Sequence, residues 1–289
     1  MFTSPPPLIT AYTPAYYAQV RHLLQHAERL HLHLDWQDAA EWLRDPELIG
    51  CIGWQESTPV AFAAASVPKE GTCWLRALAV GGGLSVGPTV RRLWGALRQR
   101  LVDAAVIQVD VLLTRSWLGR PLESLGFFHM DDVVTLRRID DPDQYWPVFE
   151  NNRLDFRPAT QEDLPAVLAV DHAAFSPIWR LGRRDLEAAW YGADSLTLAL
   201  AEGRPVGYEM SAIHGSNAHL VRLATVPEMQ GQGVGRMLLK LALQHFRSRG
   251  VTVMTVNTQA SNVVSQRLYR HFGFVHTGHD FPVWEARLD

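Results

Sequence analysis

Cysteine is scarce in this sequence of 289 residues, which contains only Cys51 and Cys73. A disulfide framework needs several cysteines in pairs, and zinc sites need closely spaced Cys and His ligands, so two isolated cysteines fit neither pattern. Buried thiols in a reducing compartment fit better. We therefore expect neither a disulfide nor a metal site.

Long apolar runs and long basic runs are also missing. The sequence has no apolar stretch of 18 residues, and residues 1–7 lack the basic and apolar regions of a signal peptide. A cytoplasmic protein with no membrane segment is the expectation. The 27 basic and 30 acidic side chains give a formal charge of −3, which together with the absence of a basic run argues against nucleic acid as a partner.

The hydrophobic fraction and the length of the sequence indicate an ordered protein with more than one hydrophobic core. Hydrophobic residues make up 47% of the sequence, too many for extensive disorder. Because domains of about 100 to 200 residues are usual, a chain of this length predicts two domains, each large enough for a core of its own.

A glycine-rich turn spans residues 226–236, with the sequence VPEMQGQGVGR, and joins a strand-like run to an amphipathic helix. Gly231, Gly233 and Gly235 lack a Cβ atom, so their amides can approach a ligand closely. The helix that follows adds free N–H groups and the positive end of its dipole. The turn therefore predicts a diphosphate-binding site.

The residues around this turn narrow the choice of nucleotide. A phosphate loop for ATP or GTP ends in Gly-Lys-Ser/Thr, whereas Arg236 and Met237 follow Gly235. A dinucleotide fingerprint has GxGxxG and an acidic residue about 20 positions later, whereas here the motif is GxGxG and the next predicted strand is followed by Asn257. Coenzyme A is favoured, with an NAD-dependent oxidoreductase as a weaker alternative.

Two motifs in this half of the chain resemble the GNAT superfamily of acetyl-CoA-dependent acyltransferases. Gln230, Gly233 and Gly235 match the (Arg/Gln)-x-x-Gly-x-(Gly/Ala) motif of that family. A later signature of the family is matched by Asn262, Leu268, Tyr269, Gly273 and Phe274. The resemblance spans about residues 154–289, and two motifs in the correct order are more specific than either alone.

The resemblance implies both a fold and a reaction. The fold is α/β (α+β), with a mixed, mostly antiparallel sheet flanked by helices. The reaction is an N-acetyl transfer from acetyl-CoA to a primary amine of a small molecule or peptide, made directly in a ternary complex. The alternative is a non-catalytic acyl-CoA-binding or sensor protein, against which the intact Asn262 and Tyr269 argue.

The resemblance also assigns site residues. Tyr269 is the catalytic proton donor to the leaving thiolate, although a tyrosine on a helix is also typical of core packing. Asn262 holds the cofactor arm or caps its helix. The remaining cofactor-binding residues form the edge of a strand, which could equally be an ordinary paired strand, and the glycine-rich turn: Leu223, Ala224, Thr225, Gln230, Gly231, Gln232, Gly233, Val234, Gly235 and Arg236.

The general base is not identified by the resemblance. Ribosomal-protein alanine acetyltransferases carry a Glu five residues before the signature Asn, where this chain has Asn257. An amide cannot accept a proton at neutral pH. Glu209, His219 and Glu228 are candidates, each also explained as a surface or structural residue. A water relay to bulk solvent is the remaining possibility.

The resemblance also implies an acceptor cleft walled by the first two helices and the last strands. There the sequence supplies aromatic residues beside Asp171 and Glu187, namely Phe175, Trp179, Trp190, Tyr191 and Trp284. Such a pocket would suit a hydrophobic primary amine, a peptide amino terminus or an amino sugar. Most aromatics of this kind belong to the core of a protein.

The first half of the chain repeats the second at a nearly fixed distance. Pro59-Val60, Arg76 and Gly87 precede Pro205-Val206, Arg222 and Gly233 by 146 positions, and Gly126-Phe127 precedes Gly273-Phe274 by 147. Matches at a nearly constant spacing predict an internal duplication of the sequence. We expect tandem GNAT-like domains at 1–140 and 153–289, joined by a linker at 141–152, as an intramolecular pseudo-dimer.

The first copy has lost the motifs of the second. Pro88 removes an amide from the glycine-rich turn, Arg115 stands for the signature Asn, and Leu122 stands for Tyr269. This pattern predicts a degenerate domain that stabilises its partner or shapes the acceptor cleft.

Periodicity predicts the elements of the second half. Strands are expected at 156–160, 195–201, 206–213, 219–226, 251–256 and 280–288, and helices at 161–175, 183–191, 234–249 and 262–272.

Overall fold

A computed structural model describes residues 6–34, 37–141 and 153–288. The predicted linker, 141–152, lies outside these ranges except for its first residue, as do residues 1–5. The strands are β1 Leu8–Ala11, β2 Arg29–Leu32, β3 Ile49–Gln55, β4 Thr58–Ala65, β5 Thr72–Val80, β6 Gln108–Leu112, β7 Phe128–Ile139, β8 Leu154–Pro158, β9 Ser195–Ala201, β10 Arg204–His214, β11 Asn217–Thr225, β12 Val253–Gln259 and β13 Val275–Arg287. The helices are α1 Tyr17–His26, α2 Ala39–Trp42, α3 Val86–Asp103, α4 Gly119–Glu123, α5 Leu164–Ala174, α6 Arg183–Gly192, α7 Val234–Ser248 and α8 Val263–His271.

The chain divides into two compact units. Unit 1 comprises Met1–Asp131 and Phe281–Asp289, and unit 2 comprises Asp132–Asp280. This division differs from the ranges 1–140 and 153–289, because most of β7 belongs to unit 2 and the second half of β13 belongs to unit 1. Each unit therefore takes a strand from the other half of the sequence.

Unit 1 contains a sheet with the strand order β1-β3-β4-β5-β6 and the end of β13, and β2 pairs separately with β5. The β5–β6 pair is parallel and the others are antiparallel. Leu93, Leu97 and Leu101 recur on one face of α3 and are fully buried in the core on one side of this sheet. Residues of α1 and α2, among them Val20 and Trp42, form a second cluster.

Unit 2 contains the order β7-β12-β11-β10-β9-β8, with the start of β13 beside β7. The β11–β12 pair is parallel. The β7–β12, β10–β11, β9–β10 and β8–β9 pairs are antiparallel. The apolar period of α7 predicts an inward face of Leu238, Leu239, Leu241, Ala242 and Phe246; all of these are buried except Leu241, which is half-buried. Gly250 follows the helix with φ +74°, as a helix-ending glycine requires.

The predicted α/β class, with mostly antiparallel sheets flanked by helices, is confirmed. The element boundaries differ by a few residues from those expected. The helix expected at 161–175 begins as a 3-10 turn at Gln161–Asp163 and continues as α5. Within the described ranges, no helix combines the length and apolarity that crossing a bilayer requires.

The internal repeat is offset at the glycine-rich turn. Both α3 and α7 begin with Val-Gly, so the helix starts match Gly87 to Gly235, 148 positions later, and the match of Gly87 to Gly233 is wrong. The cause is a difference in loop length. Five residues (81–85) separate β5 from α3, whereas eight (226–233) separate β11 from α7.

Candidate functional site

The glycine-rich turn leads from β11 into α7. A short 3-10 turn at Pro227–Met229 is followed by Gly231 with φ +76° and Gly233 with φ +87°. Both residues occupy the left-handed region that favours glycine. The glycines therefore serve the course of the backbone as well as any ligand.

Several amides at the start of α7 have no protein acceptor. Gly231, Gly233, Val234 and Gly235 donate to no atom of the described ranges, and the helical ladder begins with Met237 N to Gly233 O at 3.0 Å. These are the N–H groups that a helix start leaves for a ligand or solvent. The Gln232 amide differs, because it donates to Met229 O at 3.4 Å.

Strand β11 has an open edge next to this turn. It pairs with β10 along its length but with β12 only from Asn217 to Leu220. From Val221 to Thr225 that second edge has no partner strand in the described part of the chain. A ligand can therefore add hydrogen bonds to β11 here, as an added strand would.

The alternation of the ladder decides which groups face the open edge. Val226 N donates to Val206 O at 3.0 Å, towards β10. Because successive residues of an antiparallel strand point to opposite edges, Ala224 also faces β10, whereas Leu223 and Thr225 face the open edge. Two of the three predicted edge residues thus face the open edge, where the Thr225 carbonyl already accepts from Gln230 Nε2 at 3.2 Å.

The turn, the open edge and helix α8 meet at Gly235. A methyl group at Gly235 would lie 3.6 Å from Leu268 Cδ2, 3.8 Å from Thr225 Oγ1 and 4.0 Å from Leu223 Cδ2. Leu268 precedes Tyr269 on α8. The structure thus brings together the parts of the predicted site that lie farthest apart in sequence.

Gly207 on β10 allows α7 to pack against the sheet next to the candidate site, a role that the sequence analysis did not identify. A Cβ atom there would lie 2.8 Å from both Ala224 O and Val234 Cγ1, so only glycine lets α7 pack against the sheet at this point. An isolated glycine inside a strand pattern signals such a close approach.

Tyr269 combines burial with an unused hydroxyl. It is 4% exposed, and its ring packs against Phe274 with centroids 5.7 Å apart. Its hydroxyl forms no hydrogen bond with the described residues. Burial raises the pKa of Tyr269 well above its ordinary value of 10, so the phenol is protonated at neutral pH.

The polar side chains around the turn mostly brace the fold. Asn262 Oδ1 accepts from Ser265 N at 3.0 Å and caps α8, which is the structural role foreseen for it. Gln230 Nε2 donates to Thr225 O at 3.2 Å, and Gln232 Nε2 donates to Glu228 O at 2.8 Å. The Arg236 side chain is exposed.

The three base candidates lie in different environments. Glu209 is fully buried, and burial raises its pKa to about 7. Burial lowers the pKa of His219 to about 4, and its Nδ1 lies 2.8 Å from Thr255 Oγ1. Glu228 is exposed. Glu209 is therefore a buried candidate whose pKa is raised towards neutral pH.

Three hydroxyls surround the Glu209 carboxylate. Ser195 Oγ donates to it at 3.0 Å, and Ser211 and Thr197 donate as well. Ser195 and Thr197 also line a cavity of about 420 Å³, together with Trp190, Leu241 and His245 among others. The buried carboxylate is thus connected through hydroxyls to a solvent-accessible cavity.

A buried ion pair joins α5 to the sheet of unit 2. Asp171 is fully buried and accepts from Arg222 Nε at 2.9 Å, Tyr208 OH at 2.7 Å and Leu181 N at 2.8 Å. The Arg222 guanidinium lies 3.9 Å from the centroid of the Phe175 ring. Asp171 is therefore committed to the fold and does not line an acceptor pocket as expected.

The predicted acceptor aromatics do not form one wall. Trp284 pairs with Val111 and packs against the core of unit 1, so its assignment to the acceptor cleft of the second domain is wrong. Tyr191 is 80% exposed, and Trp190 lines the cavity. Sequence position alone could not separate these environments.

Comparisons with known proteins give similarities at the level of sequence and fold. The profile of the acetyltransferase (GNAT) family matches residues 164–274. A mycothiol acetyltransferase from Acidothermus cellulolyticus is 30% identical over 148 residues, which cover 43% of this chain and 45% of that protein. One from Saccharomonospora viridis is 30% identical over 177 residues, covering 54% and 57%. The chain thus spans about half the length of these curated relatives.

A solved structure matches nearly the whole chain. The tandem GNAT protein from the clavulanic acid biosynthesis pathway, solved without AcCoA, aligns with a TM-score of 0.63 and 14% identity over 98% of both chains. At this identity the likeness concerns the fold, and it confirms the expected tandem arrangement.

Proposed function

The chain belongs to the GNAT superfamily of acetyl-CoA-dependent acyltransferases, and on this premise we propose that unit 2 transfers an acetyl group from acetyl-CoA to a primary amine of a small molecule or peptide. The observation that carries the proposal is the meeting at Gly235 of unbonded amides, an open strand edge and the helix that bears Tyr269. Two unrelated binding features at one point support a bound cofactor better than either feature alone.

The residues around Gly235 fit the cofactor. The amides of Gly231, Gly233, Val234 and Gly235 would hold the diphosphate, in the positive field of the α7 start. Leu223 and Thr225 would bond the amides of the pantetheine arm along β11. When bound, acetyl-CoA supplies the acetyl thioester and a thiol leaving group. Ala224, Gln230, Gln232, Arg236 and Asn262 stay predicted cofactor contacts, with Asn262 and the two glutamines acting at least as braces of the site.

Tyr269 is the proposed general acid. Its hydroxyl is protonated, has no partner among the described residues and lies on the helix next to Leu268. A buried phenol can deliver a proton to a developing thiolate and take one back from solvent.

Glu209 is the proposed proton acceptor, and its replacement tests this role. It lies on β10 directly opposite Leu223, and its pKa of about 7 suits a base near neutral pH. A base works in its ionised form, so kcat/KM of the wild type should fall as pH decreases through 7. In Glu209→Gln this acidic limb should disappear and the plateau should drop. The pH profile of thiol release is the measurement.

The same pH profile can also contradict the proposed role of Glu209. An acidic limb that persists unchanged in Glu209→Gln would assign the titration to another group and leave Glu209 as a structural residue. His245→Gln is a matched control, because His245 lines the same cavity but forms no contact with the Glu209 carboxylate, and its profile should match the wild type.

A screen of amines tests the function as a whole. The relatives include mycothiol acetyltransferases and a ribosomal-protein alanine N-acetyltransferase, so the panel should contain amino sugars, other small amines and peptides with free amino termini. Release of CoA thiol with at least one amine is the expected result. Tight binding of acetyl-CoA with no release of CoA thiol for any amine would instead favour the sensor alternative. Displacement of bound acetyl-CoA by NAD would favour the oxidoreductase.

A cytoplasmic location is part of the proposal. Cys51 and Cys73 are both buried free thiols, a form that suits a reducing compartment.

A further inference from the structure

The cofactor slot of unit 2 has a counterpart in unit 1. Arg76 on β5 and Arg222 on β11 occupy corresponding positions of the repeat, so Ala77–Ala79 correspond to Leu223–Thr225. Strand β5 pairs with β6 only from Thr72 to Trp74, just as β11 leaves β12 after Leu220. Both units thus have the same divergence of two parallel strands.

In unit 1 this gap is filled by the chain itself. Strand β2 pairs antiparallel with β5, placing Leu32, His31, Leu30 and Arg29 opposite Ala77, Leu78, Ala79 and Val80. His33 N extends the ladder by donating to Arg76 O at 2.8 Å. The backbone groups that remain open in unit 2 are therefore engaged in unit 1.

The side chains of β2 secure this strand in place. His31 is fully buried, and its Nδ1 lies 3.3 Å from Thr114 Oγ1. Leu30 and Leu32 pack against the cluster that contains Phe62, Ala77 and Ala79. A strand held by both backbone pairing and apolar packing is not readily displaced by a ligand.

The corresponding segment of unit 2 has another conformation. Residues 175–178 correspond in the repeat to β2, and they include the first two residues of the 3-10 turn Pro177–Trp179. Arg222 holds that turn by donating to Trp179 O, and Asp171 accepts from Leu181 N. Since Pro177 has no N–H group, this segment is also a poor partner for a strand edge.

We propose that β2 is a built-in occupant of the cofactor slot of unit 1, so that each chain binds one acetyl-CoA, in unit 2. The turn before α3 agrees with this, since it is three residues shorter than its counterpart and carries Pro88 at the helix start. Unit 1 is then a permanently filled copy of the binding fold. The stoichiometry rests on the proposed function of unit 2, whereas the filling of the unit 1 slot does not.

Equilibrium dialysis of the full chain against labelled acetyl-CoA measures the stoichiometry. One equivalent per chain is expected. Gly235→Asp places a carboxylate at the proposed diphosphate site, where a Cβ makes only ordinary contacts, and should weaken binding by about 100-fold. Gly87→Asp is the matched control at the start of α3, where a Cβ meets no atom within 4 Å, and should leave the affinity unchanged.

Two equivalents in the wild type, a full site remaining in Gly235→Asp, or a loss of binding in Gly87→Asp would each overturn the inference. Absence of all binding would instead contradict the proposed function of unit 2.

Amide hydrogen exchange examines the unit 1 slot independently of binding. The amides of β2 and of residues 77–80 should exchange slowly in the free protein and equally slowly with acetyl-CoA, while residues 221–225 should gain protection with the cofactor. Rapid exchange of β2 in the free protein, or a change in β2 on adding acetyl-CoA, would show that the strand does not occupy the slot permanently.

Discussion

Replacing Tyr269 by phenylalanine is expected to lower kcat by about 100-fold to 10,000-fold, the usual contribution of a general acid, while the Kd of acetyl-CoA hardly changes. The reason is that the substitution removes one hydroxyl that has no partner among the described residues and keeps the ring against Phe274. Steady-state kinetics with a responsive amine, together with calorimetric titration of acetyl-CoA, give the two values.

Tyr208→Phe is the matched control for this experiment. The Tyr208 hydroxyl donates to the Asp171 carboxylate inside unit 2, so its loss should cost about 1.5 to 3 kcal/mol of stability. Tyr269→Phe should leave the thermal midpoint nearly unchanged. If Tyr269→Phe retained full turnover, the tyrosine would be a packing residue and the proton donor would have to be sought elsewhere.

Replacing Asp171 by alanine is expected to lower the free energy of unfolding by about 3 to 5 kcal/mol, the effect of removing one partner from a buried ion pair. The side chain of Asp171 is inaccessible to solvent. Its removal leaves three donors, Arg222, the Tyr208 hydroxyl and the Leu181 amide, without this acceptor. Urea denaturation followed by far-UV circular dichroism measures the change.

Glu187→Ala supplies the comparison for a surface carboxylate. Glu187 pairs with Arg183 four residues earlier, and both side chains are exposed, so its loss should hardly alter stability. A similar small effect for Asp171→Ala would mean that the buried pair does not hold α5 and the turn at 177–179 to the sheet.

Local sequence patterns were sufficient for the glycine-rich turn and its flanking elements. The predicted turn lies between β11 and α7, where Gly231 and Gly233 have positive φ angles, and α7 buries its apolar face as expected of an amphipathic helix. These features depend on residues close together in the chain, where propensity and periodicity act directly.

The features that escaped sequence analysis are set by partners distant in sequence. Nothing in Arg29–Leu32 indicates that it pairs with β5 while the corresponding segment of unit 2 forms a 3-10 turn. Nothing in the sequence around Trp284 indicates that this residue pairs with Val111 in the sheet of unit 1. Asp171 looked like a ligand-facing carboxylate because its partner, Arg222, lies 51 residues away.

The placement of the final strand has a consequence for biosynthesis. The sheet of unit 1 is completed by Val283–Arg287 against Gln108–Leu112, so a segment late in the sequence finishes a structure whose other strands leave the ribosome first. The sheet of unit 1 can therefore close only after residues 283–287 have been synthesised, and such a distant pairing is slow to form. A nascent chain stalled before residue 281 would lack the strand that pairs with β6, so one edge of β6 would expose unpaired backbone groups.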